Sequence, residues 1–93
     1  MIDRQRIDKW LWHSRIVRTR TAAAELAEAG HVRVNGVRVN ASSRMVRVGD
    51  VLTISLYRGV RLLKVAGFAS QRGSGAAGRL LYEDLGEGGG DPP

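Results

Sequence analysis

The 93-residue chain contains no cysteine. That absence excludes a disulfide framework, a thiol nucleophile and a cysteine-based zinc site. His13 and His31 are the only imidazoles, and nothing around them has metal-ligand spacing. Catalytic constellations are missing as well: no Ser–His–Asp set, paired carboxylates or phosphate-cradling loop can be assembled. The chain therefore reads as a non-enzyme, and neither a cofactor nor a metal is expected. Long apolar runs are also lacking. The start, Met1 to Arg6, has no signal-peptide core, and no stretch approaches the length that spans a bilayer. No membrane role is expected, the expected location is cytoplasmic, and the start at Met1 reads as that of a stand-alone chain.

Acidic residues are the next shortage. Lys and Arg number 15 against nine Asp and Glu, a net charge of +6. Up to residue 82 the chain holds all 15 basic groups and five acids, Asp3, Asp8, Glu25, Glu28 and Asp50, a balance of +10. The other acids, Glu83, Asp84, Glu87 and Asp91, sit near the end. Thirteen of the basic residues are Arg, whose planar fork pairs bidentately with phosphate and stacks on bases. The partner this implies is nucleic acid, RNA or DNA, rather than a membrane surface.

Periodicity divides the chain into two helices followed by strands. Ile7, Trp10, Leu11 and Ser14 share one helical face, which predicts a helix over 7–16. A second helix is predicted over 19–29, with Thr19 as N-cap, Ala23, Leu26 and Ala27 inward, and Gly30 as its left-handed stop. The period then drops to two. Asn35-Gly36 between Val32-Arg33-Val34 and Val37-Arg38-Val39 predicts a hairpin with a type I′ turn. Its valines are expected to share the face packed on the helices. Strands are expected over 45–48, 51–57 and, last, 60–68, followed by a loop over 70–78 and a short ordered segment within 79–85. The fold class is α+β, two helices on a small, mostly antiparallel sheet. The expected units are a domain over 1–69, an extension over 70–85 packed on it, and a disordered acidic tail over 86–93.

The arginines cluster in two places. Arg15, Arg18 and Arg20 crowd the start of the second helix, whose N–H groups and dipole form a phosphate seat. Cations there oppose helix stability, so their placement points to anion binding. Arg33 and Arg38 fall opposite each other across the hairpin, where like charges repel unless an anion bridges them. The alternatives are a phosphate clamp or two side chains splayed into water. Arg4, Arg6 and Lys9 extend the patch, and Asn40, Ser42, Ser43 and Arg44 form a polar loop that either reaches sugar or phosphate or, as the serines favour, serves ordinary turn chemistry. Trp10 is expected in the core. Trp12 either stacks on a base or packs against residues 80–82. Asp8 either orients a neighbouring Arg or serves the helix dipole.

The ordered series Arg6-Ile7-Asp8-Lys9-Trp10-Leu11, Thr19-Arg20 with Ala23 and Leu26, Gly30-His31-Val32, Val34-Asn35-Gly36 and Val48-Gly49-Asp50 resembles the S-four RNA-binding domain over residues 4–56. By position the resemblance implies RNA contacts from Arg6, Lys9, Thr19, Arg20, Arg33, Asn35 and Arg38. Lys9-Trp10-Leu11-Trp12 followed by Arg15, together with Leu80-Leu81-Tyr82-Glu83-Asp84, is similar to a bacterial group of heat-shock and ribosome quality-control factors. That likeness implies binding to large-subunit ribosomal RNA on free large ribosomal subunits carrying a stalled nascent chain on tRNA, in a stress response; the chain itself is expected to be a monomer. A generic RNA or DNA binder, the targeting domain of an RNA-modifying enzyme, and a module that docks an acidic protein are the competing readings.

Overall fold

The computed structural model describes residues 2–87. Strand β1 (Arg4–Arg6) runs directly into helix α1 (Ile7–His13), which is followed by α2 (Arg20–Glu28). Six further strands follow: β2 (Val32–Val34), β3 (Val37–Val39), β4 (Met45–Arg47), β5 (Val51–Leu56), β6 (Gly59–Val65) and β7 (Tyr82–Glu87). A short helix, α3 (Gly75–Arg79), interrupts the path from β6 to β7. Five strands form one antiparallel sheet in the order β3-β2-β5-β6-β7, and β1 pairs with β4 in a separate two-stranded sheet. The architecture is α+β, as expected.

The two main helices end in the same way for different reasons. After α2, Gly30 takes φ +82, its N–H reaches the Ala27 carbonyl and that of His31 reaches Leu26. This is a Schellman stop with the glycine it normally requires. After α1 the same pair of bonds forms, Arg15 N–H to Trp12 and Ile16 N–H to Leu11, but the left-handed residue is Arg15, at φ +66. A side chain in that conformation costs roughly 1–2 kcal/mol. No glycine marks the stop, so the expected helix over 7–16 is three residues too long. Arg15 is held by its Nε, which donates to the Gly73 carbonyl at 2.9 Å.

The hairpin matches expectation. Asn35 and Gly36 both have positive φ, and Val34 pairs with Val37, Arg33 with Arg38 and Val32 with Val39. Val32, Val34 and Val39 are buried with Leu52 and Ile54, beneath Trp10, Leu11, Ala23 and Ala27. Val37 is the exception. It lies on an edge strand and is 63% exposed.

The region beyond β5 departs most from expectation. Strand β6 stops at Val65 and is not the last strand. The chain then runs beneath α1, where the Gly67 carbonyl accepts from Trp10 Nε1 at 3.1 Å. The Ala69 carbonyl accepts from Gln5 Nε2 and from His13 Nδ1, each at 3.0 Å. Arg72 closes the strap: its Nε donates to the Trp12 carbonyl at 2.9 Å and its guanidinium lies over the Trp12 ring at 5.5 Å. Trp12 therefore packs on Arg72, while Trp10 meets Tyr82 edge-on at 6.4 Å. Part of the expected loop over 70–78 is α3, capped by Ser74, whose hydroxyl accepts from Ala77 N–H at 3.1 Å. Strand β7 takes in Gly86 and Glu87, which the sequence reading assigned to the tail; the rest of that tail, 88–93, lies outside the described residues.

Two stability effects follow. A Cβ at Gly78 would lie 2.9 Å from the Ser14 carbonyl oxygen and 3.0 Å from Arg15 Cγ, so Gly78→Ala is expected to cost about 1–3 kcal/mol in denaturant unfolding. An unchanged midpoint would show that α3 does not pack tightly there. His13 is buried, and desolvation holds its pKa below its ordinary 6.5 against the opposing bond to Ala69. The unfolded chain takes up the proton first, so this contribution is intact above about pH 6.5 and declines as pH falls below it. Thermal melts from about pH 7.5 to 5.5 should show a shallower decline in His13→Asn than in the parent; equal slopes would contradict this.

Candidate nucleic-acid interface

The first residue of α2 is Arg20, and the residue before it, Thr19, caps the helix. The Thr19 hydroxyl accepts from the Ala22 N–H at 3.0 Å. Helix geometry leaves the N–H groups of Arg20 and Thr21 without intrahelical partners, at the positive end of the helix dipole. A cation at this position opposes the dipole, and the structure supplies a counter-charge. Asp8, 3% exposed, lies beneath it. One Asp8 oxygen accepts from Arg6 Nη2 at 2.9 Å, and the other accepts from Arg6 Nε at 3.2 Å and from the Lys9 N–H at 2.7 Å. Arg20 Nε lies 3.9 Å from the same carboxylate.

One buried acid thus gathers an arginine from β1 and an arginine from α2. Both side chains stay about half exposed, so each guanidinium keeps donors facing solvent. Arg18 is exposed one residue before the cap and has no ion-pair partner among the described residues. Lys9 lies half-buried on α1. The polar loop is tied to the same place: the Ser42 and Arg44 carbonyls accept from the Asp8 and Ile7 N–H groups, at 3.4 and 2.7 Å. Arg44 is exposed there, and Ser42 donates to Glu28. Arg6, Arg20, Arg18, Lys9 and Arg44 therefore frame the joint start of α1 and α2.

The hairpin arginines form a separate patch. Arg33 and Arg38 are opposite in register, yet they point apart. Arg33 Nη1 lies 3.4 Å from the Gly36 carbonyl at one end of β2, and the Arg38 stem lies over Gly30 at the other end. A clamp between them is not preformed. Arg38 reaches the C-terminal end of α2, and nine helical residues rise about 13 Å. Arg20 and Arg38 therefore mark opposite ends of α2.

Three expected contact residues are engaged inside the chain. Arg15 grips Gly73, and Thr19 caps α2. Asn35 donates to Asp50 Oδ1 at 3.1 Å and accepts from the Val51 N–H at 3.0 Å, locking the hairpin to the turn before β5. Arg4 lies 3.8 Å from Asp3 and opposite Arg47 in the β1–β4 register. Arg47 is not among the expected contact residues, because the pairing that brings it to Arg4 depends on β1. Asp8 is expected to orient one neighbouring Arg or to serve the helix dipole, and no spacing along the chain places Arg20 beside it. Among the described residues no group of three His, Asp or Glu side chains could hold a metal, and no helix is long and apolar enough to cross a membrane.

A family model described as the S4 domain matches residues 5–52, from β1 into β5. The chain belongs to the S4 domain family. Among its relatives, it is 37% identical to Heat shock protein 15 of Escherichia coli (strain K12) over 82 residues, 88% of this chain and 61% of that protein. It is 46% identical to small ribosomal subunit protein uS4 of Rhodopseudomonas palustris (strain BisB5) over 50 residues, 54% of this chain and 24% of that protein. A solved trimeric structure of Vibrio cholerae Heat Shock Protein 15 matches with a TM-score of 0.82 and 29% identity, over 89% of this chain and 83% of that chain. The chain spans about three fifths of the length of the heat-shock relatives it matches.

Asp8 is the hub of the cluster, so Asp8→Asn should cost about 1–3 kcal/mol in urea unfolding, because it weakens a buried, charge-assisted set of bonds. Arg20→Ala removes only a 3.9 Å contact and should stay within about 0.5 kcal/mol. Equal losses from the two substitutions would contradict this ranking.

Proposed function

We propose that this chain is an RNA-binding factor, and that it acts on free large ribosomal subunits carrying a stalled nascent chain on tRNA. One observation carries the RNA reading: the buried Asp8 carboxylate holds Arg6 and Arg20 half exposed at the capped N-terminus of α2. A phosphate oxygen docked there would meet the Arg6 guanidinium fixed on Asp8, the neighbouring Arg20 guanidinium, free N–H groups and the positive end of the dipole. Arg18, Lys9 and Arg44 would carry the adjoining phosphates, and Arg4, Arg33 and Arg38 would meet the backbone farther along. Such contacts position an RNA without reading its sequence. The likeness to heat-shock and ribosome quality-control factors motivates the large-subunit assignment, and the match to small ribosomal subunit protein uS4 supports a ribosomal RNA partner. The binding surface is built within one chain, and we take the monomer as the binding unit; the trimer of the Vibrio cholerae relative is that protein's own assembly.

Affinity for a structured ribosomal RNA fragment should fall with salt at a log–log slope of roughly −3 to −6. Arg20→Ala should weaken binding across sequences and make that slope shallower by about one. A flat salt dependence would contradict phosphate docking. Cosedimentation should show a preference for free large subunits over intact ribosomes; equal partition would leave a general RNA binder, and preference for duplex DNA would move the partner to DNA.

A further inference from the structure

A second feature involves the link that leads into the phosphate seat. The link between α1 and α2 and the tip of the β5–β6 hairpin enclose a groove of about 340 Å³, lined by Ile16, Leu56, Arg58, Gly59, Val60 and Arg61. That volume is at the lower end of the range for small-ligand sites. Ile16, Leu56 and Val60 supply an apolar floor, and the arginines supply the rim. The two arginines differ. Arg61 is fixed, with Nη2 donating to Asp84 at 2.9 Å and its guanidinium 5.7 Å from the centre of the Tyr82 ring. Arg58 is exposed and has no ion-pair partner among the described residues. Beside it at the hairpin tip, Tyr57 is fully exposed.

An apolar slot with a cationic rim, followed in the same turn by an exposed aromatic residue, matches one kind of occupant well. A nucleotide offers a flat base for the slot or the ring, and a phosphate for the free guanidinium. A hydrophobic peptide would leave Arg58 without a counter-charge, and a fully paired duplex would offer no free base. The groove also lies within reach of the phosphate seat along the chain. Ile16 is four residues from Arg20, which limits the span between them to roughly 14 Å.

We propose that this groove receives an unpaired nucleotide of the bound RNA, with the base against Tyr57 and the apolar floor and its phosphate on Arg58. The proposal rests on the RNA reading above. It makes the preferred target a junction between paired and single-stranded RNA: the paired part lies on the Arg6–Arg20 seat, and the unpaired part turns into the groove.

The test compares a blunt RNA stem with the same stem bearing a three-nucleotide overhang that contains 2-aminopurine. The full chain should bind the overhang stem about tenfold more tightly and change the 2-aminopurine fluorescence. Tyr57→Ala and Arg58→Ala should each reduce that preference to about twofold or less, while affinity for the blunt stem stays within about twofold. Tyr57→Ala should also abolish the fluorescence change. Equal affinity of the parent for both stems overturns the groove assignment alone, as does a preference that survives both substitutions. Salt-insensitive or absent binding to either stem overturns the RNA reading and this inference together.

Discussion

The buried carboxylate of Asp8 is the constraint on which the interface depends. An acid this deeply buried is tolerable only with its bonds satisfied, and here the Arg6 fork and the Lys9 N–H satisfy it, with Arg20 as a second counter-charge 3.9 Å away. In return it sets the mutual positions of β1, the start of α1 and the start of α2. It also offsets the cost of placing Arg20 at the positive end of a helix dipole. Two guanidiniums that would repel each other are held together and still keep donors facing solvent. The energy of this arrangement in the free protein is modest. Its value is geometric, since an incoming phosphate meets an Arg6 guanidinium that has already lost its rotamer freedom, with Arg20 drawn beside it.

A second constraint comes from the segment after β6. It reaches α1 through carbonyl oxygens at Gly67, Ala69 and Gly73, each accepting from a side chain of the N-terminal region. Trp10, His13 and Arg15 thus anchor the strap, and Arg72 returns a bond to the Trp12 carbonyl. These contacts join residues more than 50 positions apart. They brace α1 from behind while its other end presents Asp8. They also hold Arg15 in the left-handed conformation that turns the chain toward Thr19 and the phosphate seat.

What could be read from sequence follows from how local each determinant is. Asn35-Gly36 demands a type I′ turn, and the turn fixes the register of Arg33 and Arg38. Thr19 and Gly30 bracket α2 because capping and stopping are single-residue chemistry. The end of α1 was hidden because Arg15 does a glycine's work with tertiary help. Strand β1 was hidden because three residues, Arg4 to Arg6, carry no periodicity, and their partner lies some 40 positions away. The interface divides in the same way. Charge and helix position pointed to Arg18 and Arg20. The internal duties of Arg15 and Asn35, the separate paths of Arg33 and Arg38, and the meeting of Arg20 with Asp8 all depend on long-range contacts.

The central claim is that geometry, beyond charge alone, makes the seat. Asp8→Asn separates the two, because it removes one negative charge beside the proposed phosphate site. Summed charge alone would make the folded variant bind RNA more tightly. Weaker binding at fixed salt is expected instead, because Arg6 loses the carboxylate that fixes it and Arg20 loses its nearby counter-charge. The deciding measurement is the equilibrium affinity of folded Asp8→Asn for a structured ribosomal RNA fragment, beside the parent. A severalfold loss is the predicted result; affinity equal to or tighter than the parent's would contradict the account.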